Sequence, residues 1–219
     1  MNKSLHLAAS IIILIASVVS GQALTVPKDS VESIGFQYGN YRHHDYAGLY
    51  IDVAKHLHQG NQKLFFLAEI AGGQISQSRS ENYDHVGAKL GLEYKTLPIS
   101  SIAVLGSHDW YLGSPNYRIS AVHLRLHQAL APQGSPITPF VRANGAIQFM
   151  NPVLESPARQ DESYRLLVLE AIGGVEIRMR RDFRWVIEGG RSQSKAVNNA
   201  GPDMANGWIG RIAMRYDWF

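Results

Sequence analysis

The chain has 219 residues, 45% of them hydrophobic, and sets 21 Lys and Arg against 18 Asp and Glu. That length fits one domain, and so slight a positive excess argues against nucleic acid as a partner. The absence of cysteine excludes a disulfide framework, so stability must come from burial and backbone pairing.

The first element is a secretory signal. Met1-Asn2-Lys3 is a short positive region, Leu7 to Val19 is almost unbroken apolar, and Gly21-Gln22-Ala23 places small residues where a signal peptidase reads. Cleavage is expected after Ala23, leaving residues 24–219 as one domain. The apolar run is shorter than the roughly 20 residues that span a bilayer, and no comparable run follows it. A helical membrane protein is therefore excluded.

The rest of the chain alternates with period two, in blocks divided by Gly, Pro, Asn and Ser. Ten strands are predicted. The first, Ile34 to Tyr41, alternates Ile34, Phe36 and Tyr38 with Gly35, Gln37 and Gly39. In Tyr46 to Lys55, Leu49, Ile51 and Val53 oppose Tyr50 and Asp52. In Lys63 to Gly72, Leu64, Phe66, Ala68 and Ile70 share a face, with Glu69 opposite. Tyr83 to Tyr94 sets Val86, Ala88, Leu90 and Leu92 against His85, Lys89 and Glu93. Ile99 to His108 is apolar throughout, and its facing is ambiguous.

In Tyr117 to Gln128, Val122, Leu124 and Leu126 oppose His123, Arg125 and His127. Ile137 to Met150 sets Val141, Ala143, Ile147 and Phe149 against Arg142, Asn144 and Gln148. In Tyr164 to Arg180, Leu167, Leu169, Ala171, Val175 and Ile177 oppose Glu170, Glu176 and Arg178. Phe183 to Gly190 sets Trp185 and Ile187 against Arg184 and Glu188. The last, Gly207 to Trp218, sets Trp208, Ile212, Met214, Tyr216 and Trp218 against Arg211 and Arg215. Eight strands would result if the first and fifth merged with neighbours.

Connections are short after even-numbered strands and mostly longer and polar after odd-numbered ones, the longest being Arg191 to Asn206. Short turns at one end, long loops at the other and an even strand count suit a membrane barrel. In water the charged face of each strand would point outward, whereas in a bilayer it points into the lumen. Arg142, Glu170, Glu176, Arg178, Arg211 and Arg215 are the expected lumen charges. Tyr38, Tyr41, Tyr46, Tyr83, Tyr94, Tyr117, Tyr164, Trp185, Trp208, Tyr216 and Trp218 fall near strand ends, where interface girdles belong.

The chain stops on Arg215-Tyr216-Asp217-Trp218-Phe219. Tyr216, Trp218 and Phe219 resemble the C-terminal assembly signal of small bacterial outer-membrane barrels of the OmpA/OmpX-like kind. Phe219 is one step out of phase with Tyr216 and Trp218, Asp217 holding the place an aromatic usually fills. The resemblance implies an all-β, closed antiparallel up-and-down transmembrane barrel in the Gram-negative outer membrane. It also implies outer-membrane lipid, lipopolysaccharide, periplasmic chaperones and the barrel-assembly machinery as partners. Closure requires the tenth strand to pair with the first, since only a closed barrel hides every backbone group from lipid.

Three sequence pairs carry candidate chemistry: His44-Asp45, Asp84-His85 and His108-Asp109 each set an imidazole beside a carboxylate. A carboxylate can orient a histidine that activates water, and the pairs are loosely similar to the Asp and His of omptin proteases. Residues adjacent on a strand point to opposite faces, however, so sequence neighbours need not pair. A lipid A deacylase would need Ser and His two residues apart on the lipid face, which His123-Leu124-Arg125 does not supply. No cofactor and no metal site are expected. The expected role is structural or surface-interacting. A small passive pore is the alternative, and a hydrolase at the rim the third reading; conducting lumens belong to barrels of around 16 strands.

Overall fold

The computed structural model describes residues 30–41, 44–57, 63–77, 82–112, 116–132, 135–153, 164–197 and 207–218. The signal segment expected at 1–23 and Phe219 lie outside them. Ten strands fill this span: β1 (Ser30–Tyr41), β2 (His44–His56), β3 (Leu64–Gln77), β4 (Asn82–Leu97), β5 (Ser100–Leu112), β6 (Asn116–Ala129), β7 (Ile137–Val153), β8 (Tyr164–Arg178), β9 (Phe183–Ala196) and β10 (Gly207–Trp218).

Each strand pairs antiparallel with its sequence neighbours, and β1 pairs with β10 from Ser30↔Trp218 to Tyr41↔Gly207. The barrel is thereby closed and up-and-down, with ten strands rather than eight. Closure leaves no sheet edge, which a bilayer would not tolerate. One register shift, between Lys95 and Leu97, marks the β4–β5 turn.

The period-two pattern turns the barrel inside out relative to a soluble protein. Leu90, Val104, Val122, Leu167 and Leu169 face outward, and the outward Val122 is 56% exposed. Glu69 and Glu188, at 9% and 8%, face inward with Ser33, His85, Ser107 and His123. In β5 the ambiguity resolves by parity: Ser101, Ala103, Leu105 and Ser107 are buried in the lumen, while Val104 faces out.

Several boundaries depart from expectation: β1 begins four residues earlier, at Ser30, β3 runs five residues past Gly72 to Gln77, and β9 and β5 are longer as well. β9 continues six residues past Gly190, because Arg191 to Ala196 keep pairing with β8 and the start of β10. β5 extends beyond His108 to Leu112, paired on β4 and β6.

The aromatic girdles also need correction. Tyr38, Trp110, Phe149 and Trp208 face outward toward the long-loop end, and Phe66, Tyr94 and Tyr216 toward the short-turn end. Trp208 to Tyr216 spans about 26 Å along β10 at the usual rise per residue, which suits an apolar band between two interfaces. Tyr46 and Tyr83 do not join the girdle. They are 7% and 8% exposed, because their parity places them in the lumen with Tyr50 and His85. The side chains of Tyr41, Tyr117, Tyr164 and Trp218 lie outside the described ones.

Candidate functional site

The chemistry-bearing side chains converge in the lumen. Because every second residue of each strand points inward, ten strands deliver their charges to one shared interior. At mid-height Lys89 Nζ donates to Glu69 Oε1 at 2.7 Å, from β4 to β3. Arg211 on β10 places Nη1 3.9 Å from Glu69 and 3.7 Å from Glu188, and its Nε donates to Gln37 Oε1 at 2.9 Å. Arg142 on β7 donates to Glu188 Oε1 on β9 at 2.6 Å.

Nearer the short-turn end, Glu176 accepts one arginine on each carboxylate oxygen, Arg184 at 3.0 Å and Arg215 at 2.8 Å. Arg125 lies 3.9 Å from Glu93 at a similar depth. Charges buried this deeply persist only when paired and hydrogen-bonded, and the network supplies such partners between β3 and β10.

Of the six expected lumen charges, Arg142, Glu176, Arg211 and Arg215 are brought into these ion pairs. Glu170 instead accepts the Asn144 side-chain amide at 2.9 Å. Arg178 ends β8 opposite Arg184, and its backbone N–H donates to Pro136 O at 2.7 Å. The six expected charges, drawn from β7, β8 and β10, leave out Glu69, Lys89, Glu93, Arg125, Arg184 and Glu188, which are also members. Their signal was the same inward parity on the other strands.

Two of the three histidine–carboxylate sequence pairs, Asp84-His85 and His108-Asp109, do not form as pairs. Asp84 and His85 occupy opposite parities of β4, as do His108 and Asp109 on β5. The lumen joins one member from each: His85 Nε2 lies 2.9 Å from Asp109 Oδ1. Gly87 makes room for this contact, since a Cβ there would overlap the Asp109 carboxylate. Asp45 is exposed, and the side chain of His44 lies outside the described ones. His108 faces outward, its Nδ1 2.8 Å from Ser120 Oγ on β6.

The His85–Asp109 contact belongs to a longer series. Tyr46 Oη lies 3.3 Å from His85 Nδ1, Ser107 Oγ lies 3.4 Å from Asp109 Oδ2, and His123 Nε2 lies 2.9 Å from Ser107 Oγ. Asn144 Nδ2 then lies 3.5 Å from His123 Nδ1 and donates to Glu170. Hydroxyl, imidazole and amide in this order match a nucleophile, base and orienting group. Two features favour a structural role. Ser107 and His123 are 9% and 8% exposed, and barrel backbone amides point along the sheet to neighbouring strands, so they cannot converge on an oxyanion in the lumen. Among the described residues no group of three His, Asp or Glu could hold a metal ion.

No protein-family model matches the sequence, and no curated protein matches it. Solved structures do. The β domain of the Bordetella autotransporter BrkA is 8% identical, with 87% of this chain and 99% of that chain covered at a TM-score of 0.53. The translocator domain of autotransporter NalP from Neisseria meningitidis is 11% identical, with 97% of each chain covered and a TM-score of 0.46. Neisserial surface protein A is 9% identical, with 86% of this chain and 96% of that chain covered and a TM-score of 0.46. The likeness to the BrkA domain is one of fold alone.

Proposed function

We propose that this chain is an integral outer-membrane barrel with a structural or surface-interacting role, non-enzymatic and non-conducting. The observation that carries this reading is the occupied lumen. Glu69, Lys89, Arg142, Glu188 and Arg211 join β3, β4, β7, β9 and β10 through paired charges at mid-height. A passive pore needs a continuous water path, and opening one here would strand buried charges, which costs several kcal/mol per ion. The apolar outward band supports placement in a bilayer, because exposed apolar area of that extent is not tolerated in water.

Planar-bilayer recording tests the reading. Refolded full-length protein, shown to insert by its shifted unboiled migration on gels, should give no reproducible conductance steps. Steps of constant amplitude would replace this reading with the small pore.

A further inference from the structure

On the assumption that the barrel sits in an outer membrane, as above, we propose that the outward face of β5 to β10 at the long-loop end is a docking site for a phosphorylated glycolipid of the outer leaflet. The observation is a register pattern. Three outward arginines each stand directly across from an outward girdle aromatic: Arg118 opposite Trp110, Arg165 opposite Phe149, and Arg191 opposite Trp208. All three arginines are exposed. The Arg165 guanidinium lies 5.8 Å from the centre of the Phe149 ring, which pre-positions it over the girdle.

The charge is one-sided. The outward charges at the same end of β2 and β4 are Asp45 and Asp84, so the barrel presents a basic flank on β6, β8 and β9 and an acidic one opposite. Lys195 extends the basic flank: it pairs with Leu167, two residues from Arg165, a diagonal of about 7–8 Å. Girdle aromatics sit at headgroup depth, so these cations meet headgroup phosphates rather than acyl chains. Arginine suits that partner, since its planar fork binds phosphate oxygens through two donors.

A second feature points to a ligand with hydroxyls as well as phosphate. His108 and Ser120 form a polar pair on the lipid-facing side, and Ser120 is in register with Phe149, which in turn faces Arg165. Trp110 packs edge-on against the His108 ring at 4.4 Å. A polar pair turned toward hydrocarbon is costly, and polar side chains in such places usually serve function. Beside two arginines, it offers hydrogen bonds to a sugar or phosphate oxygen at the same headgroup.

The test uses full-length protein refolded in detergent free of lipopolysaccharide, with binding of purified bisphosphorylated lipid A followed by native mass spectrometry. Wild-type protein should bind lipid A at least tenfold more tightly than the enzymatically dephosphorylated lipid or phosphatidylethanolamine. Arg118→Gln with Arg165→Gln should weaken lipid A binding about twenty-five-fold, taking about fivefold per cation at a charged membrane surface, while Lys55→Gln at the opposite end leaves it unchanged. Equal binding of phosphorylated and dephosphorylated lipid by the wild type overturns the proposal without any variant. So does an unaltered affinity in the double variant, or full competition by millimolar inorganic phosphate, which would assign the site to the free ion. Unboiled gel migration and liposome insertion are read separately, so loss of the barrel itself is distinguished from loss of lipid selectivity.

Discussion

Arg142 on β7 reaches past β8 to place its guanidinium 2.6 Å from Glu188 on β9, deep inside the barrel. The side chains are 15% and 5% exposed, so neither charge is well solvated by the lumen. Arg211, 3.7 Å from the same carboxylate oxygen, is the second cation beside Glu188. Removing one member leaves the other buried with too little compensation. Arg142→Met should therefore lower unfolding stability in detergent by about 2–4 kcal/mol, near the cost of a broken buried pair. Arg142→Met combined with Glu188→Met should recover most of that loss. Urea unfolding followed by gel migration checks both, and a double variant destabilised by the full sum of the singles would show that the pair is not what stabilises this level.

Gly87 is the second test point, because its missing side chain is what lets His85 and Asp109 meet. Gly87→Ala should cost about 1–3 kcal/mol, the usual range for overpacking. In an Asp109→Ala background the collision partner is gone and the cost of Gly87→Ala should shrink below about 1 kcal/mol. Thermal melts of the four proteins close the cycle. Additive effects would mean that Gly87 is not there to admit the Asp109 carboxylate.

At the short-turn end, outside the membrane-spanning strands, the Asp182 carboxylate accepts the Tyr216 hydroxyl on Oδ2 at 2.5 Å. That hydrogen bond holds the Asp182 carboxyl below its ordinary value of 3.8. A carboxyl depressed in the folded state contributes stability above its unfolded pKa, and this is lost as pH falls through the folded pKa. Tyr216→Phe should raise the Asp182 midpoint toward its ordinary value, read by carbon NMR of the carboxyl in micelles. An unmoved midpoint would mean that Tyr216 is not its cause.

Much of the barrel was legible because period two is a physical requirement, not a statistical one. A strand with a clear polar face leaves little ambiguity about which residues share a side: Val122, Leu124 and Leu126 against His123 and Arg125 define the strand and its two faces, and placement in a bilayer then decides which face is out. β5 resisted, because apolar residues occupy both parities and only its pairing with β4 and β6 decides which side sees the lumen. The girdle was half legible: proximity to a strand end identifies candidates such as Tyr38 and Tyr83, but parity alone separates the outward from the buried one. The site was less legible still. Asp84-His85 and His108-Asp109 drew attention as neighbours, yet adjacency on a strand is what keeps such residues apart, and the contact that forms is His85 with Asp109, 24 positions away. Cross-strand register, which no single strand encodes, brings Ser107 to His123 and His108 to Ser120.

The most direct measurement of the central claim is which face of the strands meets lipid. The chain lacks cysteine, so nitroxide labels can be placed singly at Val122, Leu169, Arg142 and Glu176 and the protein refolded into liposomes. Labels at Val122 and Leu169 should collide freely with oxygen and hardly at all with a water-soluble nickel chelate, as lipid-facing positions do, while labels at Arg142 and Glu176 should show little oxygen access. Nickel access at Val122 and Leu169 equal to that of a water-exposed site, or a folded protein that stays soluble without detergent, would contradict an inside-out barrel.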